Sequence, residues 1–361
     1  MSDNSKKEEK EMEKKIFISG DGFLAVFELL PPRQLGLGIA LISHRFDFYV
    51  DEHFKTRRWS LKYMEIRGKI GENGVTEMEI VNDREESLPI PNEPMPKKVI
   101  GFKRIFISYI GFNVFEFLSR FSSLFANCGI NLCLCIDNGR LFELFMRNIW
   151  PLLKDGIRQL QYDYSFDLRN LQLFGNSSIL SDCPSLRFVF STDNVFPEFS
   201  PDDCANALDG QAMDKWLFSA RPDGVPKVLK YQFYFHAKKW PSQLEGLKAA
   251  FSNASSRANF IIVIWLSFDP VVFDLTNELT GEQLTLKRAN NDGCFLVVRR
   301  PILRNVNQWT KWEKEAIEWD FYGQRNQISI YLKLSDNLFD TFSLPECFSS
   351  ESESKLTKRF E

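Results

Sequence analysis

A reaction centre in this chain would have to be assembled from few parts, beginning with three histidines, His44, His53 and His236. His53 follows Asp51 and Glu52, residue types that could ligate a metal or pass a proton. Neighbours on a helix point in different directions, so these three cannot converge without help from elsewhere. His44 and His53 therefore read as solvated or partner-facing side chains. Seven cysteines stand at 128, 133, 135, 183, 204, 294 and 347, an odd number with no Cys-x-x-Cys, whereas tetrahedral zinc needs four convergent ligands. Cys133 and Cys135 share one face of a strand, as small buried hydrophobes of a reducing compartment. Asp202 and Asp203 follow Pro201, a pattern that suits the negative first turn of a helix better than a catalytic carboxylate pair. A Walker-type phosphate loop, spaced dinucleotide glycines and a nucleophile elbow are all missing from the sequence. The expectation is a chain without catalytic residues, metal or cofactor. A hydrolase or transferase with an unrecognised site is the lesser alternative.

The elements that would position any site begin near residue 18. Asp21 is an N-cap candidate, and Phe23, Val26, Phe27 and Leu30 fall at i, i+3, i+4 and i+7, one apolar stripe of a short helix. Pro31 and Pro32 stop it, because proline lacks the helical donor and biases its predecessor away from the helical region. A second helical pattern runs through Leu35, Ile39 and Ile42 or Phe46, and a third through Tyr49, Val50, His53, Phe54 and Trp59. Three helices this short pack together with a surplus face for a partner, or fold onto the rest of the chain.

In Ile18, Asp21, Phe23, Val26, Phe27, Leu30 and Pro31 this segment resembles the F-box, whose opening reads roughly Leu-Pro-x-Glu-x-Leu-x-x-Ile-Phe-x-x-Leu-Pro. Ile42, Ser43, Arg45 and Phe46 match its later Val-Ser-x-Arg-Trp segment, while Ser19 stands where the family has its first proline. The resemblance implies a three-helix module over 16–60 that docks on a Skp-type adaptor of a cullin-based ubiquitin ligase. It implies an adaptor-binding face built from Phe23, Leu24, Phe27, Leu30, Pro31, Leu35, Leu37, Ile39 and Ile42, rimmed by Arg33 and Gln34. The whole chain also resembles members of an expanded nematode set of F-box-like proteins.

Composition agrees with protein partners. A formal charge of −3 offers no global attraction to nucleic acid or an anionic membrane. The basic pairs Arg57-Arg58, Lys97-Lys98, Lys238-Lys239 and Arg299-Arg300 are dispersed and balanced by acids, so no nucleic-acid footprint is expected. The 34 phenylalanines mean that bulky rings fill the core. Residues 1–15 form a charged run expected to be disordered, and no stretch approaches the roughly 20 apolar residues of a membrane helix. A cytoplasmic or nuclear protein is the expectation, in which the acceptor patterns at Asn176 and Asn253 stay idle.

Residues 61–98 read as a strand pair followed by a connector stiffened by Pro89, Pro91, Pro94 and Pro96. From 99 to 280 a strand–helix alternation sets in, with strands at 105–110, 130–136, 157–164, 186–190, 228–235 and 260–266. Helices are read at 114–126, 141–153, near 170–180, at about 202–218 and at 241–253. The segment Ile179-Leu-Ser-Asp-Cys-Pro-Ser-Leu-Arg-Phe-Val189 resembles the helix-to-strand turn of leucine-rich F-box proteins. The fold class is therefore α/β, either a degenerate leucine-rich-repeat-like solenoid or a plain parallel sheet. A hairpin at 282–288 and 294–300, a helix carrying Trp309, Trp312, Ala316 and Trp319, and a closing strand at 327–334 read as a cap over the last sheet edge. The tryptophans are read as core in preference to a ligand platform. Residues 346–361 are expected to be a disordered tail.

The sequence thus points to the substrate-recognition subunit of a cullin-based ubiquitin ligase, with an unknown target captured by the α/β body. An interaction scaffold outside ubiquitination is the alternative.

Overall fold

The computed structural model describes residues 19–30, 34–71, 76–88, 90, 98–162, 180–191, 199, 212–235 and 240–333. The expectations for Ile18, Pro31, Arg33, the four connector prolines, the helix near 170–180, Asp202-Asp203, His236 and both tails lie outside these residues. The chain divides into two compact units, Met1–Trp59 and Ser60–Glu361.

In the first unit, helix α1 spans Gly20–Phe27 and α2 spans His44–Thr56. Between them the expected continuous second helix is a π-helical turn, Leu35–Ile39, that runs into a 3-10 turn, Ala40–Ile42. Gly36 and Gly38 account for the loss of regularity, since each glycine weakens an α-helix by about 1 kcal/mol relative to alanine. The N-cap of α1 is Ser19, whose Oγ accepts from the Gly22 N–H at 3.2 Å; Asp21 lies inside the first turn. Ser43 caps α2 in the same way through the Phe46 N–H.

The second unit is an α/β fold whose described residues form one 13-stranded sheet. Its first strands are β1 (Trp59–Ile70), β2 (Thr76–Val81), β3 (Ser87–Leu88) and β4 (Val99–Ile107). Then come β5 (Ile130–Ile136), β6 (Ile157–Tyr162), β7 (Phe188–Ser191), β8 (Lys227–Phe235) and β9 (Phe260–Leu266). The last are β10 (Phe273–Asn277), β11 (Glu282–Arg288), β12 (Cys294–Pro301) and β13 (Gln327–Leu332). They lie in the order β10-β11-β12-β9-β8-β7-β6-β5-β13-β4-β1-β2-β3. Pairing is parallel from β4 through β13 to β9 and antiparallel from β9 through β12 and β11 to β10.

Strands β5 to β9 follow one another in a single direction across the sheet. Because parallel crossovers are right-handed, that order sends the described crossover helices to the same face. The helices there are α3 (Phe112–Ser119), α4 (Ser122–Cys128), α5 (Gly139–Asn148), α6 (Trp150–Leu153), α7 (Ala212–Phe218) and α8 (Trp240–Asn253). They pack Phe117, Phe125, Phe145, Trp150, Trp216 and Phe251 into one core with the strand residues Leu132, Leu160, Leu229 and Ile262. On the opposite face, helix α9 (Val306–Glu318) buries Trp309 and Ala316 against Phe188, Val228, Ile261 and Leu296. The tryptophan stripe is thus core-forming, with Trp319 just past the helix and stacked on Phe188 at 4.4 Å. Cys133 and Cys135 share that same sheet face, Cys135 buried and Cys133 half-buried.

Three features depart from the sequence reading. The strand pair β1–β2, read as lying ahead of the larger body, belongs to the main sheet, beside β4. The helices expected at 114–126 and 141–153 are each broken in two, the second at Ile149-Trp150-Pro151 where proline enters a new first turn. And the C-terminal elements cover the last parallel edge only through the hairpin. β12 pairs with β9 and extends the sheet, β10 is an unforeseen edge strand, and β13 returns to pair between β4 and β5. A solenoid keeps sequence neighbours in contact, so this insertion makes the body an open, mixed α/β sheet.

Candidate functional site: the N-terminal helical module

The module is built around a small aromatic core. Phe27, Leu35 and Val50 are fully buried, with Phe23, Leu24, Leu30, Ile39, Phe46, Tyr49 and Phe54 packed around them. The Phe23 ring meets Phe46 edge-on at 5.0 Å and lies 5.7 Å from Tyr49, and the Arg45 guanidinium sits over both Phe23 and Tyr49. Gly20 allows this packing, because a side chain there would run into the Tyr49 ring.

A second cluster closes the open end of α1. From 27 to 30 residues away, Arg57 Nη1 donates to the carbonyls of Phe27 and Leu30, and Nη2 donates to that of Glu28. These are C-terminal carbonyls that a helix leaves without internal donors. Arg57 also lies over Trp59 at 4.7 Å and contacts His53 Nε2 at 3.1 Å. Since guanidinium can only donate, His53 Nε2 must accept and the ring is neutral with its proton on Nδ1. Burial first and the Arg57 charge second lower the His53 pKa from its ordinary value, and Glu28 opposes them. His53 is thus a buried structural group where the sequence indicates a solvated or partner-facing one. His44 is exposed, as is Asp51, and Glu52 is half-buried. Among the described residues no group of three or more His, Cys, Asp and Glu side chains could hold a metal.

The nine expected docking residues separate by this geometry. Phe27 and Leu35 are interior, so they shape the module rather than meet a partner directly. Phe23, Leu24, Leu30 and Ile39 pack against that interior without being fully enclosed, and Ile42 is 62% exposed. Pro31 and the Leu37 side chain lie outside the described residues, and the rim residue Gln34 is exposed. Four exposed apolar side chains fall outside the expected set: Val26, Leu29, Leu41 and Phe48, with Leu29 at 84% and Leu41 at 78%. The reason is physical. Helical periodicity marks the stripe that a helix tends to bury, and here Phe23, Phe27 and Leu30 of that stripe join the internal core while Val26, read as part of it, stays exposed; Leu29, Leu41 and Phe48 carry no periodic signal that marks them as exposed.

Among the described residues no helix is long and apolar enough to cross a membrane. Comparison with protein-family models, characterised proteins and solved structures found no match to this chain.

Proposed function

We propose that the chain is a substrate-recognition subunit of a cullin-based ubiquitin ligase, acting in the cytoplasm or nucleus. Its helical module docks on a Skp-type adaptor and its α/β body holds a target protein. Support comes from one observation above all: Leu29, Leu41 and Ile42 stay water-exposed on a unit whose own core is already closed by Phe27, Leu35 and Val50. Exposed aliphatics of this kind gain roughly 25 cal/mol per Å² when a partner covers them. The F-box resemblance of residues 18–46 names the partner. In this reading the chain supplies no bond-making groups. It raises the effective concentration of target beside a charged conjugating enzyme.

Calorimetric titration of the full chain with a purified Skp-type adaptor tests the reading. Binding is expected, with a loss of at least about tenfold in Leu41→Asp and in Ile42→Asp, since each places a charge in an apolar contact. No heat of binding at tens of micromolar would remove the ligase reading and leave the interaction scaffold.

A further inference from the structure

The turn that follows α1 presents Leu29 to solvent, and a side chain from the far end of α2 holds that turn in place. Leu29 is 84% exposed and lies between Glu28 and Leu30, whose carbonyls accept from Arg57 together with that of Phe27. Within the turn itself the Leu29 N–H donates to the Val26 carbonyl and the Leu30 N–H to that of Phe27. The last turn of α1 has no basic residue of its own, so the Arg57 guanidinium is also the positive charge that a helix C-terminus favours.

Arg57 is in turn aimed by His53. The imidazole is 3% exposed and has the rings of Phe27, Phe54 and Trp59 around it at 5.8, 6.2 and 6.3 Å. Its Nε2 meets Arg57 Nη1 at 3.1 Å, a contact that exists only while that nitrogen carries no proton. A proton there would set one N–H against another and one cation against another among apolar rings, where repulsion is poorly screened. The charged groups that act on the ring are Arg57, at the end of its own helix, and Glu28, on the turn after α1; burial and Arg57 keep the ring neutral against the pull of Glu28. Of the two colliding groups Arg57 is the one free to move. It is half-buried and held by neutral carbonyls and the Trp59 face, whereas His53 is enclosed.

We propose that His53 is a proton switch on docking: its neutral ring aims Arg57 at the turn that presents Leu29, and its protonated ring expels Arg57, so that the turn frays and the adaptor is released. The inference rests on the adaptor-docking reading and adds to it a control by acid. Docking is complete at neutral pH and is lost as the ring takes up a proton.

Two measurements on the full chain test the switch. Calorimetric titration with a purified Skp-type adaptor at pH ~7.5 and pH ~5.2, on either side of the ordinary histidine range, compares the native chain with His53→Gln, whose amide oxygen accepts from Arg57 at both values. Native binding is expected to weaken at least about tenfold in acid, and that of His53→Gln to change by less than about threefold. Titration of the adaptor affects both chains alike and cancels. The second measurement needs no adaptor. Hydrogen exchange at amides 28–30, corrected for intrinsic rates, should accelerate in acid in the native chain and stay level in His53→Gln. Arg57→Gln has no cation to expel, so these amides should exchange fast at both pH values; this variant keeps the test decisive if His53→Gln is poorly folded. Absence of binding at pH ~7.5 would remove the ligase reading and leave the switch to stand or fall by exchange alone. Exchange at 28–30 that ignores pH in the native chain, an acid response that persists in Arg57→Gln, or an equal acid loss of adaptor binding in the native chain and His53→Gln would overturn the proposal.

Discussion

Arg57 acts as a C-cap from across the module, and its replacement shows how much one side chain holds. Arg57→Ala leaves the Phe27, Glu28 and Leu30 carbonyls without their donor and exposes the Trp59 face; a loss of about 2 kcal/mol in the first unit is expected from bonds to a charged donor. Arg57→Lys keeps the charge but not the fork, and should recover less than half. Denaturant midpoints of the two variants check the order. His53 makes the same cluster pH-sensitive. Its pKa is lowered on folding, so the unfolded chain binds a proton more readily in the window below about 6.5. Stability tied to this ring is therefore complete above that value and lost as pH falls through the folded pKa. Hydrogen exchange of amides 44–56, corrected for intrinsic rates, should accelerate below pH ~6.5 in the native chain and much less in His53→Gln. Asp214 has the opposite sign. Burial pushes its carboxyl up to about 8, and among the described residues neither oxygen has a hydrogen-bond partner. Its stability contribution is full below the unfolded pKa and declines as pH rises towards 8, because the folded state holds the extra proton. Asp214→Asn should flatten that alkaline decline and stabilise the body by about 1 to 3 kcal/mol near pH ~8, as read from denaturant midpoints.

At the scale of elements, the insertion of β13 depends on a short loop pinned by one residue. Asn326 has a positive φ of 57°, a region that asparagine tolerates and alanine does not. Its N–H donates to the Phe102 carbonyl at 2.8 Å, its Oδ1 accepts from the Phe102 N–H at 2.9 Å and its Nδ2 donates to the Cys128 carbonyl at 2.8 Å. Its own carbonyl accepts from the Asn131 N–H. The residue thus ties together the starts of β4, β5 and β13. Asn326→Ala should cost about 3 kcal/mol from two lost side-chain bonds and the backbone penalty, and Asn326→Gly about 1 kcal/mol less. Thermal unfolding of both variants checks the order; equal losses would mean that φ is irrelevant there. None of this is visible in the sequence, where Asn326 follows Arg325 in an ordinary polar stretch. What the sequence does show is local. Phe260–Leu266 and the hairpin strands at 282–288 and 294–301 are legible because an apolar run or a turn such as Asn290-Asn-Asp-Gly293 encodes them within a few residues. Strand partners separated by about 200 residues leave no such mark. The same limit applies to the candidate site, since periodicity reveals most of the stripe that packs into the module's own core, while Leu29 and Leu41 gain meaning only from what does not pack around them.

For the whole molecule, the path of the chain decides how it can fold. Gln327 pairs with Arg104 on one side and with Asn131 on the other, so the sheet centre joins residues about 220 positions apart. Without β13, the β4 edge and the β5 edge have no partner, and Ile328, Ile330 and Leu332 vanish from the main core. Unpaired backbone in such a place is expensive, and the loss of three buried aliphatics alone costs several kcal/mol, a large part of a domain's stability. A chain ending at residue 320 should therefore lack a cooperative transition for the body, although it retains every strand of the 13-stranded sheet except β13. A solenoid would behave differently, because its repeats contact only neighbours and tolerate loss from one end. The full chain should also refold slowly, in the range of seconds or longer, because closing so long a loop must precede the pairing that rewards it. Calorimetry on the truncated chain and stopped-flow refolding of the intact one check both halves of this expectation. A cooperative melt of the 1–320 chain at the midpoint of the full protein would show that β4 and β5 are stable without the strand between them, and that the C-terminal segment is dispensable to the sheet it completes.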